Sequence, residues 1–375
     1  MESSQLNIAV LTSSRADYGI YLPLLKRLKN DVSICLEIIA FGSHCSKKFG
    51  NTVEVIEQDG FEVKHKINNF LEGDTPEDIA LSYANTVKLF STFWKNNTYN
   101  WVLCLGDRFE MAAAVNAGIP FGVNFAHFYA GDITLGAIDN IYRDQISLAS
   151  KIYFTALPNH SERLNKLLNC KDIAAYEIGA ISLENLKDIK LLEKDEFKKL
   201  WQIDLSIPTI LVTIHPETVD YTSNKKYAAA STKALEKLTL DYQIVITMPN
   251  ADTAGSIFRE AFLQLTEINK CNVKLIENFG TPSYFTCMKY AKLMIGNTSS
   301  GIVEAASFGK YVLNLGGRQQ GRIAGENVLN VSFNATEIVN IANKYIDKVY
   351  KGKNLYQKEG AIDTIIDALK KHKIK

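Results

Sequence analysis

The chain has 375 residues, with 42 basic and 41 acidic side chains and an apolar fraction of 46%. This length exceeds one ordinary hydrophobic core and predicts two domains, while the apolar fraction excludes general disorder. The net charge of +1 argues against a dedicated nucleic-acid binder or a membrane-surface protein, because both usually carry a strongly basic face.

Short apolar runs alternate with helical patterns along the whole chain. In the first half these predicted strands read LNIAVLT, ICLEIIAFG, NWVLCLG, FGVNFAH, KIYFTA and AYEIG. In the second half they read TILVTIH, YQIVITMP, VKLIEN, LMIGN, YVLNLG and NVLNV. Continuous apolar strands separated by helices predict parallel sheets covered on both faces. The chain is therefore predicted to form two doubly wound α/β domains, which bind ligands at the carboxyl ends of their strands, in the cleft between them.

The domain boundary is predicted in the charged segment of residues 186–204. It separates an N-terminal domain, residues 1–185, from a second domain, residues 186–355. The helical segment of residues 356–375 is expected to pack back on the first domain. Residues 111–131 contain no charged side chain, but Gly, Pro and Asn interrupt them, so we expect a helix and a buried strand rather than a membrane span.

The chain start and the cysteines bear on the cellular compartment. The first residues lack the basic region and cleavage site of a signal peptide. The six cysteines form no Cys-x-x-Cys pair and have no histidine partners at metal spacing. We therefore expect buried thiols in a reducing cytosol, no metal site and a cytoplasmic protein.

The first strand ends in TSSRADYG, which is not the Gly-x-Gly-x-x-Gly fingerprint of nicotinamide-binding domains. Arg15 stands where the following helix begins, and a guanidinium beside free backbone N–H groups suits an anionic ligand. The alternative is that Asp17 caps the helix and Arg15 is its surface partner.

The strand NWVLCLG is followed by Asp107 and Arg108. A carboxylate at the carboxyl end of a strand suits catalysis, although a helix cap is the commoner reason for one.

The stretch HFYAGDITLGAIDN contains His127, Asp132 and Asp139, and Arg143 follows one helical turn later. It is either a polar turn with a helix cap or the floor of an active site. Asp139 and Arg143 could form a helix-surface pair, whereas the small residues of AGDITLGA would let a ligand approach the backbone.

In the second half, His215 follows the strand TILVTIH and could exchange a proton near neutral pH. A polar run follows the strand KLMIG, and its hydroxyls and helix-start N–H groups predict a phosphate cradle, with a serine-rich cap as the alternative. Glu304 is predicted in the first turn of that helix, able to bind a ribose, and a Gly-rich loop adds Arg318 and Arg322. A diphosphate and ribose site in one domain and carboxylates in the other together describe a nucleotide-sugar enzyme.

Taken in order, RADYG, GDRFE, AGDITLGAIDN, HPET, GNTSSGIVEAASFG and GGRQQGR-x-x-GEN resemble the UDP-N-acetylglucosamine 2-epimerase family. The resemblance is to its hydrolysing branch in bacterial sialic-acid and legionaminic-acid synthesis. It implies two Rossmann-like domains of the glycosyltransferase-B type, a UDP-sugar substrate, no cofactor and a homodimer or homotetramer. It also implies anti elimination of UDP to a 2-acetamidoglucal, to which water then adds.

The non-hydrolysing branch typically has His-x-Glu-Ala-Gly-x-Arg where this chain has HFYAGD, so that Tyr129 replaces the glutamate. Many hydrolysing relatives also have Arg-His where this chain reads Arg143-Asp144. A non-hydrolysing epimerase, a glycosyltransferase of the same architecture and a nucleotide-sugar-binding regulator remain alternatives. The predicted catalytic residues are Asp107, Asp132, Asp139 and His215. The predicted substrate- and UDP-binding residues are Arg15, Asp17, Arg108, Arg143, Asn297, Thr298, Ser299, Ser300, Gly301, Glu304 and Arg318.

Overall fold

The computed structural model describes residues 5–46, 51–69, 71, 73–170, 172–184, 186, 189–249 and 253–372. Contacts divide the chain into two units. Unit 1 comprises Met1–Asp132, Asp139–Leu186 and Tyr356–Lys375; unit 2 comprises Ile133–Ile138 and Lys187–Leu355. We call the six-residue segment Ile133–Ile138 the strap. Residues 185, 187 and 188 at the predicted boundary, and the last three of the predicted C-terminal helix, lie outside the described residues.

In its described part, unit 1 contains a seven-stranded parallel sheet in the order β3-β2-β1-β4-β5-β6-β7. The strands are β1 Leu6–Thr12, β2 Ile34–Phe41, β3 His65–Ile67, β4 Trp101–Leu105, β5 Phe125–Phe128, β6 Ser150–Thr155 and β7 Ala174–Glu177. The helices are α1 Arg15–Lys29, α2 Val53–Gln58, α3 Pro76–Asn96, α4 Phe109–Gly118, α5 Asp139–Ala149, α6 Pro158–Leu167, α7 Ile181–Glu184 and, at the end of the chain, α14 Ala361–Lys371.

Both faces of this sheet are covered, as the continuous apolar strands predict. Along β1, Ile8 and Val10 belong to one core cluster and Ala9 and Leu11 to another, because successive side chains point to opposite faces. Helix α14 adds an apolar stripe from Ala361 to Leu369 to the first of these clusters. The Trp101 indole of β4 donates a hydrogen bond to the Leu369 carbonyl at 3.1 Å, which joins α14 to the centre of the sheet.

The described part of unit 2 contains a six-stranded parallel sheet in the order β10-β9-β8-β11-β12-β13. The strands are β8 Thr209–Thr213, β9 Gln243–Thr247, β10 Val273–Ile276, β11 Leu293–Gly296, β12 Val312–Leu315 and β13 Val328–Val331. The helices are α8 Lys194–Trp201, α9 Asn224–Leu238, α10 Gly255–Ile268, α11 Gly280–Tyr290, α12 Ser299–Val303 and α13 Ala335–Tyr345.

All twelve predicted apolar runs form strands, and the sequence missed only β3 among the described strands. β3 has three residues, His65–Ile67, and none of them is buried, so no apolar run marks it. β5 begins at Phe125 rather than Phe121, because Ile119–Phe121 forms a 3-10 turn that ends at Gly122 with φ +66°. No helix in the described part of the chain has the length and apolar character to cross a membrane.

Candidate active site

The carboxyl edge of the unit 1 sheet brings two predicted site residues into contact. Asp107 follows β4, and its carboxylate accepts a hydrogen bond from the guanidinium of Arg143 in α5. The Arg143 side chain is 1% exposed and that of Asp107 is 27% exposed, so Arg143 is a buried cation and not half of a surface pair. Helix α5 begins at Asp139, as the alternative of a helix-surface pair between Asp139 and Arg143 requires, but Arg143 does not lie on the surface.

Arg143 also contacts the loop that carries Asp132. Its Nη1 donates to the backbone carbonyl of Asp132 at 3.1 Å and to Asn140 Oδ1 at 3.4 Å. Asp132 Oδ1 lies 3.5 Å from Nε2 of His160, and both residues are buried. A buried guanidinium thus joins the loop after β4 to the loop after β5 and fixes the two acids relative to each other.

His127 of β5 holds the turn that carries Asp107. Its Nε2 lies 2.8 Å from the Gly106 carbonyl oxygen, which can only accept, so Nε2 is the protonated nitrogen. Nδ1 then accepts from the Ser147 hydroxyl at 3.0 Å. Burial lowers the pKa of His127 to about 4, so the ring stays neutral at ordinary pH. His127 therefore positions Gly106, whose φ is +81°, through its hydrogen bond to the Gly106 carbonyl.

The turn after β1 has the helix cap that the sequence allowed as an alternative. Asp17 is buried, and its carboxylate accepts from the backbone N–H groups of Ser13 at 2.8 Å and Ser14 at 3.2 Å. Both serine hydroxyls donate to the same carboxylate, and Ser14 and Asp17 form a capping box. Half-buried Arg15 is the first residue of α1, at the carboxyl edge beside β4. The substrate-binding roles of Arg15 and Asp17 stay predictions.

Arg108 has a partner that the sequence analysis did not single out. Its Nε donates to Oε1 of Glu110 at 2.6 Å, and the Glu110 side chain is fully buried in the first turn of α4. Burial raises the pKa of Glu110, and the nearby Arg108 partly offsets this. Arg108 is thereby held beside Asp107 at the sheet edge.

Two glycines of AGDITLGA lie against other backbone segments of the protein, and the approach of a ligand to this loop stays a prediction. A Cβ at Gly131, whose φ is +75°, would overlap the carbonyl of His160, and a Cβ at Gly136 would overlap the carbonyl of Gly317. Tyr129, at the position that distinguishes the two branches, has φ +59°, which is uncommon for a bulky residue.

In unit 2, Asn297 joins the ends of β11 and β8. Its side chain accepts from the backbone N–H of His215 at 2.7 Å and donates to the His215 carbonyl at 2.9 Å. Its own carbonyl accepts from Gln319 at 2.7 Å. Asn297 thus positions His215 through the backbone, and its predicted direct contact with UDP stays a prediction.

The polar run predicted to bind phosphate follows β11, and its phosphate binding stays a prediction. Thr298 is the N-cap of α12, which begins at Ser299, and the Gly301 N–H donates to the Thr298 carbonyl at 3.2 Å. The prediction that Glu304 lies in the first turn of this helix is wrong. Helix α12 has only five residues, and Glu304 is its C-cap. It is buried and leads into a 3-10 turn, Ala305–Phe308.

Arg318 lies on the turn after β12, and its Nη1 donates to the Pro216 carbonyl at 3.0 Å. The strap packs against the same loops, since Leu135 N–H donates to the Gln320 carbonyl at 2.8 Å and Ile138 N–H to Thr218 Oγ1 at 3.0 Å. Within unit 2, the residues after β8, β11 and β12 therefore form one connected edge.

Three residues of these edges escaped the sequence analysis: His160, Glu110 and Glu217. Glu110 and Glu217 belong to GDRFE and HPET, so an acid inside each motif was an available signal. His160 follows no apolar run directly and lies in α6, so its approach to Asp132 required the structure. Among the described residues, no group of three or more His, Cys, Asp or Glu could hold a metal ion.

Comparisons with known proteins agree with this architecture. The sequence profile of a family described as UDP-N-acetylglucosamine 2-epimerase matches residues 26–370. The chain is 30% identical to a GDP/UDP-N,N'-diacetylbacillosamine 2-epimerase (hydrolyzing) of Campylobacter jejuni, over 88% of this chain and 85% of that one. It is 32% identical to a UDP-N,N'-diacetylbacillosamine 2-epimerase (hydrolyzing) of Legionella pneumophila, over 86% and 84% of the two chains.

Among solved structures, the fold is similar to that of the UDP-GlcNAc 2-epimerase of Neisseria meningitidis bound to UDP-GlcNAc. The TM-score is 0.81 at 17% identity, over 98% of this chain and 100% of that one. At that identity the likeness concerns the fold alone, and it confirms the predicted glycosyltransferase-B-like class of two parallel-sheet α/β domains.

Proposed function

Because the chain belongs to the UDP-N-acetylglucosamine 2-epimerase family, we propose that it is a hydrolysing nucleotide-sugar 2-epimerase. It would convert a UDP-linked 2-acetamido sugar and water into UDP and the free 2-epimer. The observation that carries the proposal is the unit 1 cluster in which buried Arg143 joins Asp107 to Asp132. Two relatives named as hydrolyzing 2-epimerases, at 30% and 32% identity, favour this branch.

The chemistry requires one proton to leave C2 and another to arrive on the opposite face. That hydrogen is not acidic, because C2 carries no carbonyl, so its loss must accompany cleavage of the C1–O bond. The bonding electrons leave with the UDP phosphate and a C1=C2 double bond forms. Water then supplies the hydroxyl at C1 while a proton adds to C2. Neither the elimination of UDP nor the addition of water transfers a hydride, so this route needs no nicotinamide.

In unit 1, we assign the proton transfers to Asp107, Asp132 and Asp139, with the individual roles open among the three. General acid–base help contributes about 10²–10⁴-fold per group. Arg143 would hold the Asp107 carboxylate in a fixed orientation through the hydrogen bond between them. Arg15, Asp17 and Arg108 are proposed to bind the substrate at the same sheet edge.

In unit 2, we assign UDP binding to the edge after β8, β11 and β12. The N–H groups and hydroxyls at the start of α12 would bind the diphosphate, with Arg318 stabilising the charge that develops as UDP leaves. Buried Glu304 would accept hydrogen bonds from the ribose hydroxyls. His215, held through its backbone by Asn297, would stabilise or protonate the leaving phosphate.

The sugar is proposed to be N-acetylglucosamine or a 2,4-diacetamido-trideoxy relative, as in legionaminic-acid synthesis. The Campylobacter relative is named for GDP- and UDP-linked N,N'-diacetylbacillosamine, so both nucleotides are relevant. We further propose a cytoplasmic homodimer or homotetramer. Cys35, Cys170 and Cys271 are exposed, so the expectation of buried thiols is wrong for these three. All six cysteines are free, which suits a reducing compartment.

The test is incubation of the protein with UDP- and GDP-linked N-acetylglucosamine and N,N'-diacetylbacillosamine, without any acceptor, in H₂O and in D₂O. We expect release of the free nucleotide and the free 2-epimer from one of these substrates, with deuterium at C2 when the solvent is D₂O. A nucleotide-linked epimer as product would identify a non-hydrolysing epimerase. Turnover only after an acceptor is added would identify a glycosyltransferase, and tight UDP binding without turnover of any substrate would indicate a regulator.

A further inference from the structure

Glu217 is a buried acid in the turn after β8, with 4% of its surface exposed. Its Oε1 accepts two backbone N–H groups of the turn after β12, from Gly317 at 2.8 Å and from Arg318 at 3.0 Å. Its own backbone is fixed by Asn224 at the start of α9, which exchanges two hydrogen bonds of 2.9 Å with it. The acid thus connects the turn after β8, which is hydrogen-bonded to α9, to the loop that carries Arg318.

The loop is shaped to receive this carboxylate. Gly316 has φ +72°, and a Cβ there would overlap Oε1 of Glu217, so the approach requires glycine. Successive backbone N–H groups in such a turn form a concave anion site. Here the anion is supplied by the protein itself, so these two N–H groups are already used and leave the diphosphate to other donors.

Burying a carboxylate is unfavourable, and burial raises the pKa of Glu217, which the N–H groups of Gly317 and Arg318 partly offset. A neutral acceptor would avoid most of this penalty. The turn after β12 requires an acceptor oxygen at this position for its two N–H groups, and a carboxylate or its amide could each supply one.

Arg318 is held at both ends by two consecutive residues. Glu217 binds its backbone N–H, and the Pro216 carbonyl accepts from its guanidinium at 3.0 Å. A carbonyl acceptor orients the guanidinium without cancelling its charge. Fixing a long side chain in advance lowers the conformational entropy lost when a ligand binds.

We propose that Glu217 is a positioning residue that holds the turn of Gly316, Gly317 and Arg318 so that the Arg318 guanidinium meets the diphosphate of UDP. This inference rests on the proposed function, because it takes the ligand to be UDP. In this role the buried acid of the HPET motif acts on UDP through Arg318 and does not itself contact the nucleotide.

The experiment measures UDP affinity by calorimetry for the full-length protein and for the variants Glu217→Ala, Glu217→Gln, Arg318→Ala and the Glu217→Ala/Arg318→Ala double variant. We expect Glu217→Ala and Arg318→Ala each to weaken UDP binding by about tenfold or more, since each removes charge-assisted contacts. Glu217→Gln keeps an acceptor oxygen for both N–H groups and should bind within about threefold of the parent. The double variant should be no weaker than the weaker single variant, within about twofold, because both act through one contact.

Asp204→Ala is the matched control. Asp204 accepts the Ser206 N–H at 2.9 Å and pairs with Lys198, before β8 at the opposite edge of the same sheet. It should leave UDP affinity unchanged. Thermal unfolding of every variant shows which ones remain folded.

A second measurement needs no nucleotide. Trypsin cleaves after arginine only where the backbone is accessible, so a released turn in Glu217→Ala should be cut after Arg318 faster than in the parent or in Glu217→Gln. Unchanged cleavage in a folded Glu217→Ala protein, full additivity of the two single variants, or a Glu217→Gln variant as weak as Glu217→Ala would each overturn the positioning role. If the parent protein binds no UDP, the proposed function fails, while the cleavage rates still decide whether Glu217 holds the turn.

Discussion

Asp107→Asn is the substitution that separates catalysis from architecture most sharply. It removes the charge that faces buried Arg143 but keeps an oxygen that can accept the same hydrogen bond. If Asp107 transfers a proton, kcat should fall by about 10²–10⁴-fold. UDP affinity should stay within about threefold of the parent, because the nucleotide is assigned to unit 2 residues.

The cost in stability can be bounded from the contact itself. A hydrogen bond between charged groups contributes about 1.5–3 kcal/mol, and a neutral acceptor retains part of it, so the loss should be about 1–3 kcal/mol. At about 2–4 °C per kcal/mol, the midpoint of thermal unfolding should fall by roughly 2–12 °C. A domain stable by about 5–15 kcal/mol stays folded after such a loss, so unfolding cannot explain a hundredfold loss of activity.

The assay follows nucleotide release under saturating substrate, with UDP calorimetry and thermal unfolding on the same samples. Asp144→Asn is the matched control, because Asp144 lies on the same helix and pairs with Arg163 through bonds of 2.7 and 2.6 Å. It should change kcat by no more than about twofold, because Asp144 has no assigned role in the reaction and its side chain pairs with Arg163 instead. Wild-type turnover in Asp107→Asn, or a loss of UDP affinity with kcat intact, would refute the proton-transfer role.

Three further predictions concern the surroundings of these acids. The pKa of His127 is about 4 in the folded protein and near 6.5 in the unfolded chain. Between these values the unfolded chain binds more protons than the folded protein. The free energy of unfolding should therefore fall by about 3 kcal/mol as the pH is lowered from 6.5 to 4. Urea unfolding at several pH values in that range gives the free energy of unfolding as a function of pH. Its dependence on pH should be weaker for His127→Gln than for the parent, and an equal dependence would contradict the pKa of His127. Glu304→Ala should weaken UDP binding in calorimetry, and an unaltered affinity would remove Glu304 from the ribose contact. Asn297→Ala removes two buried hydrogen bonds to the His215 backbone and should reduce the unfolding free energy by about 1–3 kcal/mol and also lower kcat; normal turnover would show that the position of His215 is unimportant.

The strands were predictable because parallel sheets buried on both faces leave continuous apolar runs in the sequence. The same reasoning placed Asp107, Asp132, His215 and the start of α12 at strand ends, because chain direction alone fixes which end of a parallel strand is the carboxyl end. β3 was missed because three half-exposed residues carry no such pattern.

The partners of the site residues were not predictable, since each pairing depends on how distant segments pack. Arg143 pairs with Asp107, 36 positions earlier, although a local partner lay one helical turn away. Glu217 meets Gly317 and Arg318 across 100 and 101 positions. Glu304 was misplaced because α12 ends after five residues, and helix ends are weakly encoded when a 3-10 turn continues the chain.

The strap bears on how this protein could be recombined with its relatives. The chain passes between the units at 132/133, 138/139, 186/187 and 355/356, which makes four crossings. In a chimaera that exchanged only residues 187–355, the loop after β12 would come from the relative and the strap from this protein. The two would have to fit closely, because Gly136 of the strap has no room for a side chain beside Gly317. Hybrids that fold should therefore take residues 133–138 and residues 187–355 from the same parent, although the first of these segments is encoded in the first half of the gene.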